Sequence, residues 1–266
     1  MVEPSDLTVI FWILPQTSAT KKDNRTQKRY PSERWARARK KGEEVQGRLR
    51  AYIVNALRVA GIDALAPVDS PFFEQTMSQR YEHASTWSER HAAHVAGLGT
   101  FGLSDGLITR VGKAMRCGSV TARVQIPPSP RTYDDHHAYC LFFTKGTCGR
   151  CADRCPAGSV TREGRSKPKC RDYVLLKTAD YVKSRFGVEI YGSCGLCQTG
   201  VPCESGDTVE GLSKPKAHHL LPGQRLFLAM SLPETALRKD VPIILCTGYG
   251  ETMSPEKAND AGIRKL

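Results

Sequence analysis

CLFFTKGTCGRCADRCPAG, residues 140–158, contains Cys140, Cys148, Cys151 and Cys155, with Pro156 directly after the last. The full chain has 266 residues and 10 cysteines, eight of them between 140 and 203 and none in the first 116. A cysteine-rich module is therefore set into a cysteine-poor body. The chain is long enough for one large or two modest domains with a real core. Forty per cent hydrophobic residues and a mean hydropathy of −0.39 describe a soluble profile. Leu7–Leu14 is strongly apolar but too short to span a bilayer. Glu3 and Asp6 stand where a signal peptide needs basic residues. The expected location is the cytoplasm, with no membrane association. In that reducing compartment thiols read as metal ligands or redox groups before disulfides.

Cys148-x2-Cys151-x3-Cys155-Pro156 matches the last three cysteines and the proline of the ferredoxin run C-x2-C-x2-C-x3-C-P. The first cysteine of that run would fall at Lys145, and Cys140 is the nearest replacement. Downstream, Cys194-x2-Cys197-x5-Cys203 adds three more and Cys170 a fourth. Eight thiolates make two four-cysteine sites. In paired ferredoxin sites the cysteine before the proline serves the other cluster. The expected [4Fe–4S] ligands are then Cys140, Cys148, Cys151 and Cys203 for one cluster, and Cys155, Cys170, Cys194 and Cys197 for the second. Two structural zinc sites are the alternative. Cys117 and Cys246 are left over and read as small buried hydrophobes.

Outward from the module, residues 7–14 (LTVIFWIL) read as a buried strand stopped by Pro15. Residues 16–30 are polar and basic and read as a loop. Ser32 can cap a helix from Glu33 to Ala60, closed by Gly61. A short strand is expected at 62–66. Thr86 and Glu89 suggest a capping box for a helix ending at Gly97. Strands are expected near 107–111 and 119–126, and a helix over 171–186. The glycines of Gly97-x-Gly99-x-x-Gly102 follow a helix and not a strand, which argues against a dinucleotide site.

SERWARARKKGEEVQGRLR (32–50), HAAHVAGLGTFGL (91–103) and GKAMRCGSVTA (112–122) lie in order ahead of the module, with KCRDYV (169–174) and YGSCGLCQTGVPCES (191–205) inside it. Residues 7–206 resemble the epoxyqueuosine-reductase-like proteins, relatives of the reductive dehalogenases. The resemblance implies an α+β architecture. A nitroreductase-like, cobalamin-binding-type domain would occupy 1–133, shortened at its N-terminus, and a ferredoxin-like double [4Fe–4S] module 134–206. It implies an oxidoreductase whose two clusters relay single electrons to cobalamin or another acceptor in the N-terminal domain. Ala96, Gly97, Leu98 and Gly99 would lie beside the corrin. His83 occupies the position of the family's catalytic aspartate. An electron-transfer protein of ferredoxin type, without substrate chemistry of its own, is the alternative.

After a linker at 207–219, residues 220–266 resemble the second half of a response-regulator receiver domain. VPIILCTG (241–248) matches its fourth strand, and Thr247 the switch residue there. No Asp stands before Leu221-Pro222-Gly223, so this partial α/β tail is not expected to be phosphorylated. The formal net charge is +12. Counting each oxidised cluster as a net dianion lowers it to about +8. Residues 20–50 hold 12 Lys/Arg against four Asp/Glu. Such a surface suits an acidic low-potential donor of flavodoxin or ferredoxin type, a tRNA, or plain solvation. The expected substrate is a tRNA or a small organic molecule.

Overall fold

β1 (Thr8–Pro15) pairs antiparallel with β7 (Met115–Ala122), from Thr8↔Ala122 to Pro15↔Met115. β2 (Ala64–Leu65) joins the other edge of β7, giving the order β1-β7-β2. The structure is a computed structural model and describes residues 4–79, 82–126 and 131–206. Cys246, Thr247, the linker and the receiver-like stretch lie outside the described residues.

β1 is apolar from Val9 onward because both its faces are covered. Val9, Phe11 and Ile13 pack with Ala93, Ala96, Leu98 and Leu107 on one side. Ile10 and Trp12 pack with Leu49, Leu57 and Val120 on the other. The long helix α2 (Glu33–Val59) supplies that second layer. Its cap is the expected one: Ser32 Oγ accepts from Trp35 N at 3.2 Å. Trp12 Nε1 donates to Gln46 Oε1 at 2.6 Å. The Trp12 ring faces Gly118, where a Cβ would lie 2.6 Å from it, so the glycine makes the close approach possible.

Several elements differ from the sequence reading. The supposed loop at 16–30 contains α1 (Ser18–Arg25), capped by Thr17. Its buried residues are Thr20, Lys21 and Asn24, so no apolar stripe announced it. An unforeseen hairpin forms from β3 (Gln75–Ser78) and β4 (Glu82–Ser85). Thr86 closes it, accepting from Glu74 N and donating to Phe72 O, both at 3.0 Å. Thr86 is therefore not the cap of α3 (Glu89–Val95); Ser88 holds that position, with its hydroxyl bound to His91 Nδ1 at 2.7 Å. The glycine-rich loop becomes β5 (Gly99–Phe101), paired with β6 (Leu107–Thr109).

The cysteine module follows in short helices, α4 (Leu141–Lys145) and α5 (Arg150–Asp153). The helix expected at 171–186 starts earlier, at α6 (Lys167–Asp172), with Ser166 as its cap. It continues through a π-helical turn (Tyr173–Thr178) into α7 (Ala179–Phe186).

The module is tied to the body by backbone pairs and by α1. Lys113 N donates to Cys203 O at 2.8 Å and Ala114 N to Glu204 O at 3.2 Å. Asn24 Nδ2 donates to Cys194 O and to Thr199 Oγ1. Arg154 of the module donates to Asn24 O, Arg25 O and Gln27 O at the end of α1. There it satisfies carbonyls that a helix end leaves free. No helix of the described residues is long and apolar enough to cross a membrane.

Candidate metal centre

Two cavities lie within the module and along its border with the body. Cys155, Cys170, Cys194 and Cys197 line the larger, of about 250 Å³. Cys140, Cys148, Cys151 and Cys203 line the smaller, of about 20 Å³. Each set draws on distant parts of the chain. Cys155 ends the turn after α5, Cys170 sits inside α6, and Cys194 and Cys197 flank a left-handed turn at Gly195. Gly195 has φ +67°, and a Cβ there would lie 2.1 Å from the Trp35 ring. Only glycine lets α2 press this closely on the cysteine loop. The π-helical turn fixes the same loop: Thr178 Oγ1 donates to Val174 O and accepts from Ser193 N. Cys203 reaches the smaller cavity through its backbone bond to Lys113.

Burial pushes the Cys194 thiol up to about 12 and the Cys151 thiol up to about 11, and neighbouring sulfurs add to both shifts. Such thiols stay protonated until a metal displaces the protons. Cys155 moves down instead. Burial works against it, but the Ser159 hydroxyl at 3.2 Å and the N–H groups of Val160, Ala157 and Ser159 outweigh burial. These donors would serve a thiolate ligand in the same way.

Cations surround the sulfurs. Lys113 is 3% exposed and borders both cavities. Burial works against its charge, but Cys203, Cys197, Cys151 and Cys140, as thiolates, hold it above the ordinary lysine value. Arg165 Nη2 donates to Cys170 Sγ at 3.2 Å. Among the described residues no three His, Cys, Asp or Glu side chains converge as a single-ion site. Zinc needs each sulfur about 2.3 Å from one centre. A cuboidal cluster instead holds four cysteines apart around an inorganic core. Four sulfurs around a roomy void, with cations and backbone donors close by, fit a cluster at the larger site; the smaller shares its four-cysteine lining and Lys113 but holds room for about one water.

Ala96–Gly99 is turned into the fold. Ala96 and Leu98 belong to the core under β1. The N–H groups of Ala96, Gly97 and Leu98 donate to Ala92, His94 and Ala93 carbonyls, and Gly99 N to the Tyr133 hydroxyl. The stretch therefore offers a corrin neither apolar side chains nor a free N–H. His83, in β4, lies against α6: Arg171 Nη1 donates to its Nδ1 at 2.9 Å. Arginine cannot accept, so His83 Nδ1 is the acceptor and the ring's proton sits on Nε2. Cys117 lies in β7 beside Glu89, and burial first, then that carboxylate, pushes its thiol up to about 12.

Sequence reading missed Lys113, Arg165 and Trp35 as neighbours of the sulfurs, since their spacing to the cysteines carries no pattern.

No family model matches the chain. It is 29% identical over 124 residues to an epoxyqueuosine reductase of Bacillus anthracis, covering 45% of this chain and 30% of the relative. Two solved reductive dehalogenases also resemble it. One is a catabolic enzyme, with a TM-score of 0.47, 19% identity, and coverage of 86% of this chain and 28% of the other. The second was described with a mechanism for B12-dependent dehalogenation, with a TM-score of 0.49, 18% identity and the same coverages. The chain thus spans under a third of the length of each relative.

Proposed function

We propose that this chain is an iron–sulfur oxidoreductase that passes single electrons through two [4Fe–4S] clusters to an acceptor held by its N-terminal body. The observation that carries this reading is the division of eight cysteines between two adjacent cavities, four lining each. Cys140, Cys148, Cys151 and Cys203 hold one cluster; Cys155, Cys170, Cys194 and Cys197 hold the other. When bound, these clusters supply one-electron storage and transfer. The chain's residues do the rest. Lys113 offsets negative charge at both sites, and Arg165 does so at Cys170. Leu103, Ile108 and Val201 give the smaller site an apolar lining. A flavodoxin- or ferredoxin-type donor would approach over the basic surface. The distant match to an epoxyqueuosine reductase supports the reductase class, with a tRNA or small organic molecule as substrate.

The closed packing of Ala96–Gly99 favours a second reading, an electron carrier of ferredoxin type with no substrate chemistry of its own. Anaerobic reconstitution should load about eight iron and eight sulfide per chain. One zinc per site would overturn the cluster assignment. Titration with cob(II)alamin, followed by absorbance and EPR, separates the readings: a spectral change restores cobalamin as acceptor, and none removes it.

A further inference from the structure

The two four-cysteine cavities differ more than tenfold in volume, about 250 against about 20 Å³. The larger chamber runs beyond its four cysteines to Gln16, Trp35, Arg39 and Met115 of the body, so it has space away from the sulfurs. Five cationic side chains line it: Arg39, Arg90, Lys113, Arg116 and Arg165.

Carboxylates are too few to balance them. Arg39 and Arg116 both pair with Glu43. Arg165 Nη1 lies 3.5 Å from Asp105 Oδ2, and Arg90 Nη1 donates to the Asp105 carbonyl at 2.6 Å. Glu43 is thus shared by two guanidinium groups, Asp105 turns its carboxylate to Arg165 and its backbone carbonyl to Arg90, and with Lys113 and Arg165 set against the sulfurs, Arg39, Arg90 and Arg116 still share one carboxylate between them. The Arg116 and Arg165 side chains are only 15% and 18% exposed, so water does little to screen the crowding.

Three polar atoms around the same chamber also lack partners. Arg116 Nε, Ser104 Oγ and Ser193 Oγ are buried without a hydrogen bond, and all three residues line the chamber. Ser104 and Ser193 are 4% and 3% exposed. Orphaned donors are costly and call for an acceptor. Guanidinium groups match the oxygens of carboxylates and phosphates. Trp35 adds a flat apolar wall.

We propose that this chamber binds a small anion, a carboxylate- or phosphate-bearing molecule, beside the cluster of Cys155, Cys170, Cys194 and Cys197. The neighbouring cluster rests on the iron–sulfur reading; the anion rests on the chamber's charge, room and unmatched donors.

The test uses the full chain reconstituted anaerobically, with iron content measured first. Acetate and inorganic phosphate are titrated separately at constant ionic strength against chloride, by calorimetry and by EPR of the reduced clusters. One of them should bind saturably, one per chain, and shift one cluster signal; which one binds identifies the anionic group. Arg116→Gln should weaken binding at least tenfold with iron content unchanged. Ser104→Ala, which removes no charge, should weaken it less and guards against a folding defect in the first variant. Full iron loading with no saturable binding, or binding indifferent to both substitutions, overturns the anion site and leaves the cluster reading standing. Failed iron loading sinks the cluster reading, and saturable binding to that protein keeps the anion site.

Discussion

Lys113 borders both cysteine cavities, and its buried ammonium faces sulfurs of both sets. A fixed buried cation favours the more negative, reduced state of a cluster. Lys113→Met should therefore lower the electron affinity of at least one cluster by about tenfold, equal to about 59 mV for one electron. Redox titration followed by EPR reads this; potentials unchanged at full iron content would show that Lys113 only fills space. Glu89 makes a separate prediction. Burial raises its carboxyl to about 7. Trp87 Nε1 donates to Ser119 Oγ at 3.2 Å, and neither carboxylate oxygen completes a hydrogen bond. Ser119, Arg50 and Trp87 all favour ionisation, and burial outweighs them together. With the folded pKa above the unfolded value, folded Glu89 holds its proton longer. Stability should fall as pH rises from about 4.5 to about 7, by on the order of 1–3 kcal/mol, and then level. Glu89→Gln should flatten that slope in denaturant melts. The cysteines were legible in the sequence because ligand spacing is local. Lys113 and Glu89 were not, because what faces them comes from remote parts of the chain.

At the scale of elements, the turn Pro202–Glu204 carries Cys203 to sulfurs more than fifty residues earlier, held by the Lys113–Cys203 backbone bond. Cys203→Ser should damage the cluster built on Cys148 and Cys151 and leave the other intact. EPR of the reduced variant should show one signal lost and iron content falling by roughly half. Loss of the other signal instead would reverse the assignment. The strand at 8–15 and the helix from Glu33 were legible because apolar runs and a serine cap are local signals. The hairpin β3–β4 was not. Its residues, QTMS and EHAS, are mostly exposed or half-buried and lack the apolar alternation that marks a strand.

At the scale of the molecule, α1 is the clamp between body and module. Glu204 is 3% exposed; it takes the Arg25 guanidinium on both oxygens and Gly200 N at 2.6 Å. Arg25→Ala leaves a buried carboxylate with much of its hydrogen bonding lost, at a cost of roughly 1–3 kcal/mol. The variant should melt at lower temperature and lose iron faster to a chelator; an unchanged rate of iron loss would mean that α1 does not hold the module. The sequence by itself determined which residues can act as sulfur donors, the apolar strand at the centre of the sheet, and the long capped helix over it. These follow from side-chain chemistry and periodicity within a few residues. Only the tertiary structure decided which cations face the sulfurs, how much room each cavity leaves, and that a polar stretch becomes a helix. Thr20, Lys21 and Asn24 are buried, and Lys21 and Asn24 find partners about 170–184 residues away. No local pattern can encode a polar helix whose burial is made tolerable by such distant hydrogen bonds.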